Sequence, residues 1–182
     1  MNRKKKIEAL FKLTADKVMV AQADIKRSER EWIELFSQAL TEAEIPFFVV
    51  YGSCLGAVRE GAKIEYDDDF DIGIKVEYLP QVAKIMPKLE GLGIFSTEIS
   101  DFHIRFEMPN SKMTMDIWTI EKVTNIFFRI FGFKWLVAYV YSREDYFSDP
   151  AVVKLWDKEY FAPSPVIKYI ESSDGINWVG EG

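Results

Sequence analysis

The chain has 182 residues, 48% hydrophobic and 15% aromatic, with 23 Lys+Arg against 29 Asp+Glu for a net charge of −6. That size and apolar content describe one folded domain over 1–182 and exclude a disordered chain. The acidic balance excludes general nucleic-acid backbone binding, which needs a basic footprint. The single cysteine, Cys54, and single histidine, His103, exclude a disulfide framework and a Cys/His zinc site. Any metal must then be held by oxygen, which points to Mg²⁺, Mn²⁺ or Ca²⁺.

In chain order, apolar residues recur at three- and four-residue spacing from Lys4 to Arg27, which predicts a helical lead-in over 1–45. Lys4, Lys5 and Lys6 are followed by Glu8, Lys12 and Asp16 rather than an apolar run, so no secretory signal is read and a cytoplasmic location is expected. Ser28-Glu29-Arg30-Glu31 has the form of a capping box, opening a helix that runs to about Glu44 before Pro46. Phe47 to Tyr51 reads as a buried strand, Gly52-Ser53 as a break, and Cys54 to Glu60 as a short helix. Phe70 to Val76 alternates as a half-buried strand, and Leu79 to Leu92 is an amphipathic helix despite Pro87. Ile94–Ile99, Phe102–Met108 and Lys112–Ile120 read as three strands, the last two joined by a Pro109-Asn110-Ser111 turn. On the middle one Phe102, Ile104, Phe106 and Met108 share one face, and His103, Arg105 and Glu107 the other.

The aromatic-rich stretch Ile126 to Tyr146 reads as a helix, and 147–182 as short elements and loops. Its most apolar part, Ile126–Tyr141, is too short and, with Arg129 and Lys134, too charged to be a transmembrane segment. Its mix of aromatic and basic residues would suit peripheral membrane contact if an acceptor were lipid-linked. The fold class is α+β: a mixed sheet flanked by helices, with an irregular aromatic-rich C-terminal region.

The informative segment is Glu65-Tyr66-Asp67-Asp68-Asp69-Phe70-Asp71. Strand alternation puts Asp67, Asp69 and Asp71 on one face, where they repel one another unless a divalent cation compensates. An EF-hand is rejected, because Ile72 stands where glycine is needed and Tyr78 where the twelfth-position Glu belongs. Gly52-Ser53 at a helix start offers backbone N–H groups and a hydroxyl to a phosphate, although such a pair is more often only a turn and cap. Asp116, on a strand between Met115 and Ile117, fits a ligand and an exposed edge residue equally well.

Strand, Gly-Ser, helix, D-x-D and a later strand aspartate together resemble the DNA polymerase β-like nucleotidyltransferase superfamily. More narrowly, Tyr51-Gly52-Ser53-Cys54-Leu55-Gly56-Ala57-Val58-Arg59 followed by Ile64-Glu65-Tyr66-Asp67-Asp68-Asp69-Phe70-Asp71-Ile72 resembles the LicD/fukutin signature, with Glu65-Tyr66 where that family has Pro-Trp. Tyr169, Asp174-Gly175 and Asn177-Trp178 faintly resemble its late tyrosine and Y-G-x-x-W stretch. The resemblance implies a nucleotidyltransferase-like catalytic core over 46–120 and an extension over 121–182. It implies a metal-dependent phosphotransferase that moves a phospho-substituent, such as phosphocholine or a phospho-alditol, from a CDP-linked donor to a glycan hydroxyl. Two Mg²⁺ or Mn²⁺ ions would sit on Asp67, Asp69, Asp71 and Asp116, with Asp69, Asp71 and Asp116 catalytic. Gly52, Ser53, Arg59, Lys63 and Arg105 would contact the donor phosphates. The alternatives are a nucleotidyltransferase that moves NMP from an NTP to a small molecule or sugar with pyrophosphate release, and a non-catalytic nucleotide-binding protein.

Overall fold

The computed structural model describes residues 25–99, 102–120 and 144–174. The lead-in helix before residue 25, the stretch 121–143 and the late Gly175 to Trp178 lie outside the described residues. The chain divides into two compact units. One comprises the described parts of Met1–Phe47 with Glu65–Thr119, and the other Phe48–Ile64 with the described parts of Ile120–Gly182. Among the described residues no helix is long and apolar enough to cross a membrane.

The first unit opens with α1, Glu29–Glu42, capped as its sequence dictates. The Ser28 hydroxyl accepts from the Glu31 N–H at 3.3 Å, and the Ser28 N–H donates to the Glu31 carboxylate at 2.7 Å. Trp32, Ile33, Phe36, Ala39 and Leu40 form its buried stripe. The strands of this unit are β2 (Asp69–Lys75), β3 (Phe95–Ile99), β4 (His103–Glu107) and β5 (Thr114–Ile120), after a two-residue β1 (Phe48–Val49) in the other unit. A second helix of the first unit, Leu79–Leu92, is named α3 because α2 (Tyr51–Arg59) precedes it in the chain. Pro87 sits inside α3 without ending it, and Gly93 closes it at φ 91. Lys88 on α3 pairs with Glu42 on α1, and Arg27 places its guanidinium 4.6 Å over the Trp32 ring while donating to the Leu92 carbonyl at 2.7 Å.

The four strands lie in the order β2-β5-β4-β3. β3 with β4, and β4 with β5, are antiparallel. The β4–β5 turn places Asn110 at φ 59, a left-handed conformation that asparagine tolerates. The Thr114 N–H donates to the Asp68 carbonyl at 2.9 Å, and further along both strands the Trp118 indole reaches Asp71. β2 and β5 therefore start at the same edge and run parallel, so the sheet is mixed. Alternation then sorts the faces. Phe70, Ile72 and Ile74, Ile104 and Phe106, and Met115 and Ile117 are buried on one face, where Phe36 of α1 meets Phe106 at 5.3 Å. Asp69 and Asp71, His103 and Arg105, and Asp116 and Trp118 take the other.

In the second unit, β6 (Ala151–Leu155) and β7 (Lys158–Ala162) form an antiparallel hairpin, and α4 (Val166–Asp174) follows. Residues 151–174 are thus more regular than the sequence reading had them. The connecting Trp156-Asp157 lacks the Asn-Gly chemistry that marks a two-residue turn, yet Trp156 adopts φ 56 and its N–H donates to the Gly61 carbonyl. α2 packs on β6 and α4, and β1 on β7. Phe48 stands edge-on to Phe147 at 5.1 Å.

Gly56, in the middle of α2, is fixed by close approach. A Cβ there would lie 2.6 Å from the Ala62 carbonyl oxygen and 3.1 Å from the Ile64 nitrogen, both main-chain atoms that cannot rotate aside. Overpacking of this kind costs about 1–3 kcal/mol. Gly56→Ala is therefore expected to lower the melting temperature by several degrees in a thermal scan; an unchanged midpoint would show that the 61–64 turn gives way.

Candidate metal centre

Parallel β2 and β5 deliver carboxylates from two strands to one face. Carboxylate oxygens of Asp69, Asp71 and Asp116 all lie within 4.8 Å of one another, and those of Asp67, Asp68 and Asp69 do the same. Asp69 is shared between the two groups. β2 begins only at Asp69, so strand alternation does not reach Asp67 and Asp68, and the exposed Asp68 carboxylate joins its neighbours rather than turning from them.

The carboxylates are held differently. Asp71 is buried, and its Oδ1 accepts from the Trp118 indole N–H at 2.7 Å. Burial, then the Asp69 charge, pushes its carboxyl up to about 8. Burial and then Asp67, through a hydrogen bond and its charge, push Asp69 up to about 7. Asp116 is fully buried, which alone would raise it, but His103 and Arg105 outweigh burial and hold it below the usual carboxylate range. His103 Nε2 lies 2.8 Å from Asp116 Oδ1. Arg105 is bidentate, with Nε donating to Oδ1 at 3.0 Å and Nη2 to Oδ2 at 2.9 Å, and the Thr114 hydroxyl donates to Oδ2 at 3.5 Å. The bond to Asp116 raises Arg105 further above its already high value. Asp116 is therefore an ionised anchor and a poor proton acceptor.

Two linked pH effects follow. For Asp69 and Asp71 the folded value lies above the unfolded one, so the stability that protonation gives is present at acid pH and lost as pH rises from about 4 through about 7 and 8. A cation competes with those same protons. The melting temperature of metal-free protein is expected to fall between pH 5 and 8.5, while the rise produced by Mn²⁺ grows over the same interval. A Mn²⁺ shift that does not vary across that range would contradict the assignment.

A family model described as the nucleotidyltransferase domain of LicD/FKTN/FKRP matches residues 44–169, about two thirds of the chain. The chain belongs to the LicD/FKTN/FKRP family. It is similar to the uncharacterized protein RP689 of Rickettsia prowazekii, 33% identical over 90 residues that cover 50% of this chain and 32% of that protein. It is also similar to the human ribitol-5-phosphate transferase FKTN, 31% identical over 75 residues that cover 41% of this chain and 16% of that protein. The chain thus matches about a third or less of the length of these relatives. Among solved structures, ANT(2″)-Ia in complex with adenylyl-2″-tobramycin superposes with a TM-score of 0.48 at 15% identity, covering 82% of this chain and 79% of that one.

The remaining residues of the LicD-type signature lie in the second unit. α2 begins at Tyr51, with φ 48, so Gly52 and Ser53 are first-turn residues of the helix rather than a break before it. Ser53 is 1% exposed, which turns its hydroxyl inward. Arg59, in the last turn, pairs with Glu60. Lys63 is buried and its Nζ donates to the Ile64 carbonyl at 3.4 Å. The Tyr169 hydroxyl on α4 accepts a hydrogen bond from the Tyr51 N–H at 3.4 Å. Three contacts escaped sequence reasoning: His103 and Arg105 on Asp116, and Trp118 on Asp71. The signal was the β4–β5 register, which sets His103 opposite Trp118 and Arg105 opposite Asp116, and which the Pro109-Asn110-Ser111 turn would have yielded.

Proposed function

We propose that this LicD-family domain transfers a phospho-substituent from a CDP-linked donor to a glycan hydroxyl, with CMP as the leaving group, at a divalent-cation centre on Asp67, Asp69, Asp71 and Asp116. The supporting observation is the convergence of Asp69, Asp71 and Asp116 from two adjacent strands within 4.8 Å. The residues fit such an ion. The donor set is all oxygen, and Asp69 and Asp71 are pushed up by burial and mutual charge that a cation would relieve. One or two Mg²⁺ or Mn²⁺ ions would supply charge stabilisation at the attacking and leaving oxygens of an in-line displacement.

The chain's own groups do the rest. Arg105 and His103 keep Asp116 ionised, so it serves as ligand and anchor rather than as the base that removes the acceptor proton. First-turn N–H groups at Gly52 and Ser53, with Arg59 and Lys63, are proposed as donor-phosphate ligands from the family signature. Tyr66, next to Asp67 in the chain, is 83% exposed. Ribitol 5-phosphate is the first group to test, because the human relative is named a ribitol-5-phosphate transferase.

The test is product analysis. The protein is incubated with Mn²⁺, a glycan acceptor and CDP-ribitol, CDP-glycerol or CDP-choline, and separately with nucleoside triphosphates and a sugar. Divalent-dependent CMP release with acceptor modification is expected. Pyrophosphate release from a triphosphate would instead favour nucleotidyl transfer. Nucleotide binding with neither product would favour a binding protein.

A further inference from the structure

We propose that His103 and Trp118 act together as one brace that fixes Asp71 and Asp116 relative to each other, making both rings positioning residues of the centre described above; the inference rests on that centre being a cation site. His103 on β4 and Trp118 on β5 stand directly opposite in the antiparallel register. Their rings stack with centroids 4.6 Å apart and planes inclined by 31°. Each ring then touches a different aspartate. The Trp118 indole, which can only donate, gives its N–H to Asp71 Oδ1 at 2.7 Å. His103 Nε2 lies 2.8 Å from Asp116 Oδ1, and since an ionised carboxylate can only accept, Nε2 carries the proton.

The path runs from Asp71 on β2, through two stacked rings, to Asp116 on β5. Two carboxylates within 4.8 Å repel once both are ionised, and an unrestrained side chain then rotates away from its neighbour. A directional N–H on one oxygen of each prevents that rotation. The stack makes the two restraints interdependent, because neither ring tilts without disturbing the other. Groups that orient metal-binding carboxylates in this way commonly govern affinity by about 10–100-fold. Arg105 and Thr114 also hold Asp116.

Trp118→Phe keeps a stacking ring and removes only the donor. His103→Leu removes the donor and the stack, while His103→Gln restores an N–H. Mn²⁺ affinity is measured by titration, with the metal-free melting temperature as a control for folding. Trp118→Phe and His103→Leu are each expected to weaken Mn²⁺ binding by about 10–100-fold, and His103→Gln to recover much of the His103→Leu loss. The Trp118→Phe/His103→Leu double variant is expected to lose little more than the worse single one, as for residues acting as a unit. Affinity within twofold of wild type in Trp118→Phe, or fully additive losses in the double variant, would overturn the brace. If Trp118→Phe does not fold, equal affinities for His103→Leu and His103→Gln would overturn it. A wild-type protein that binds no Mn²⁺ contradicts the metal centre itself, whereas a Mn²⁺-binding protein indifferent to Trp118→Phe contradicts the brace alone.

Discussion

Asp71→Asn is expected to raise the melting temperature of the metal-free protein at pH 8.5 by several degrees, and to abolish both the Mn²⁺-induced rise and the transfer activity. Asp71 is a buried carboxylate facing Asp69, and the folded state resists ionising it until about pH 8. Above that pH the metal-free fold carries a desolvated charge beside a like charge. The amide is nearly isosteric, carries no charge, and its carbonyl oxygen still accepts the Trp118 N–H. Stability therefore rises as function is lost. The activity effect is large because a missing ligand removes several kcal/mol of charge stabilisation, which corresponds to a rate loss of at least about 100-fold. Thermal scans with and without Mn²⁺, paired with CMP release, check both halves. A destabilised metal-free Asp71→Asn would contradict the account.

Asp116→Ala is expected to do the opposite. Asp116 is fully buried, and the guanidinium of Arg105 and the ring of His103 both donate to it. Truncation leaves those donors facing a cavity. Breaking a buried pair from one side costs about 3–5 kcal/mol, and the low end applies because Arg105 remains open to water on one side. For a chain of this size that lowers the melting temperature by about 10 °C. The pH dependence also has the reverse sign. Asp116 sits below its unfolded value, so its contribution is present above about pH 4 and lost as pH falls through the depressed folded value. Asp116→Ala should therefore flatten the acid side of the stability curve, while Asp71→Asn flattens its neutral to alkaline side. Two neighbouring aspartates with opposite effects on stability are the signature of one ion-paired anchor beside one unneutralised carboxyl group. Thermal scans of both variants from pH 3 to 9 test it.

Much of this arrangement could be read from residue order, because local chemistry agreed with the tertiary result. The Ser28–Glu31 box, the Leu79–Leu92 helix and the alternation of β2, β4 and β5 survive folding with shifts of a residue or two. The acidic run stood out because carboxylates repel, and no apolar packing explains a run of aspartates that ends with Asp69 and Asp71 in a strand. The pairings of Asp116 were not legible from a single strand. They arise from the β4–β5 register and from parallel β2, which bring residues 103, 105, 114 and 118 to 71 and 116. The start of α2 was misplaced because Tyr51 enters the helix at φ 48, a conformation the sequence assigns to Gly52. The β6–β7 hairpin was missed because Trp156 occupies a turn position that glycine or asparagine usually fills.

The proposed divalent-cation centre consists of Asp69, Asp71 and Asp116 with Asp67. The most direct measurement is a Mn²⁺ titration of wild type and Asp71→Asn at pH 8, with free Mn²⁺ followed by electron paramagnetic resonance. Saturable binding of one or two ions by wild type, weakened at least about 100-fold in Asp71→Asn, is the predicted result. Equal binding by the two proteins, or no saturable binding by wild type, would contradict it.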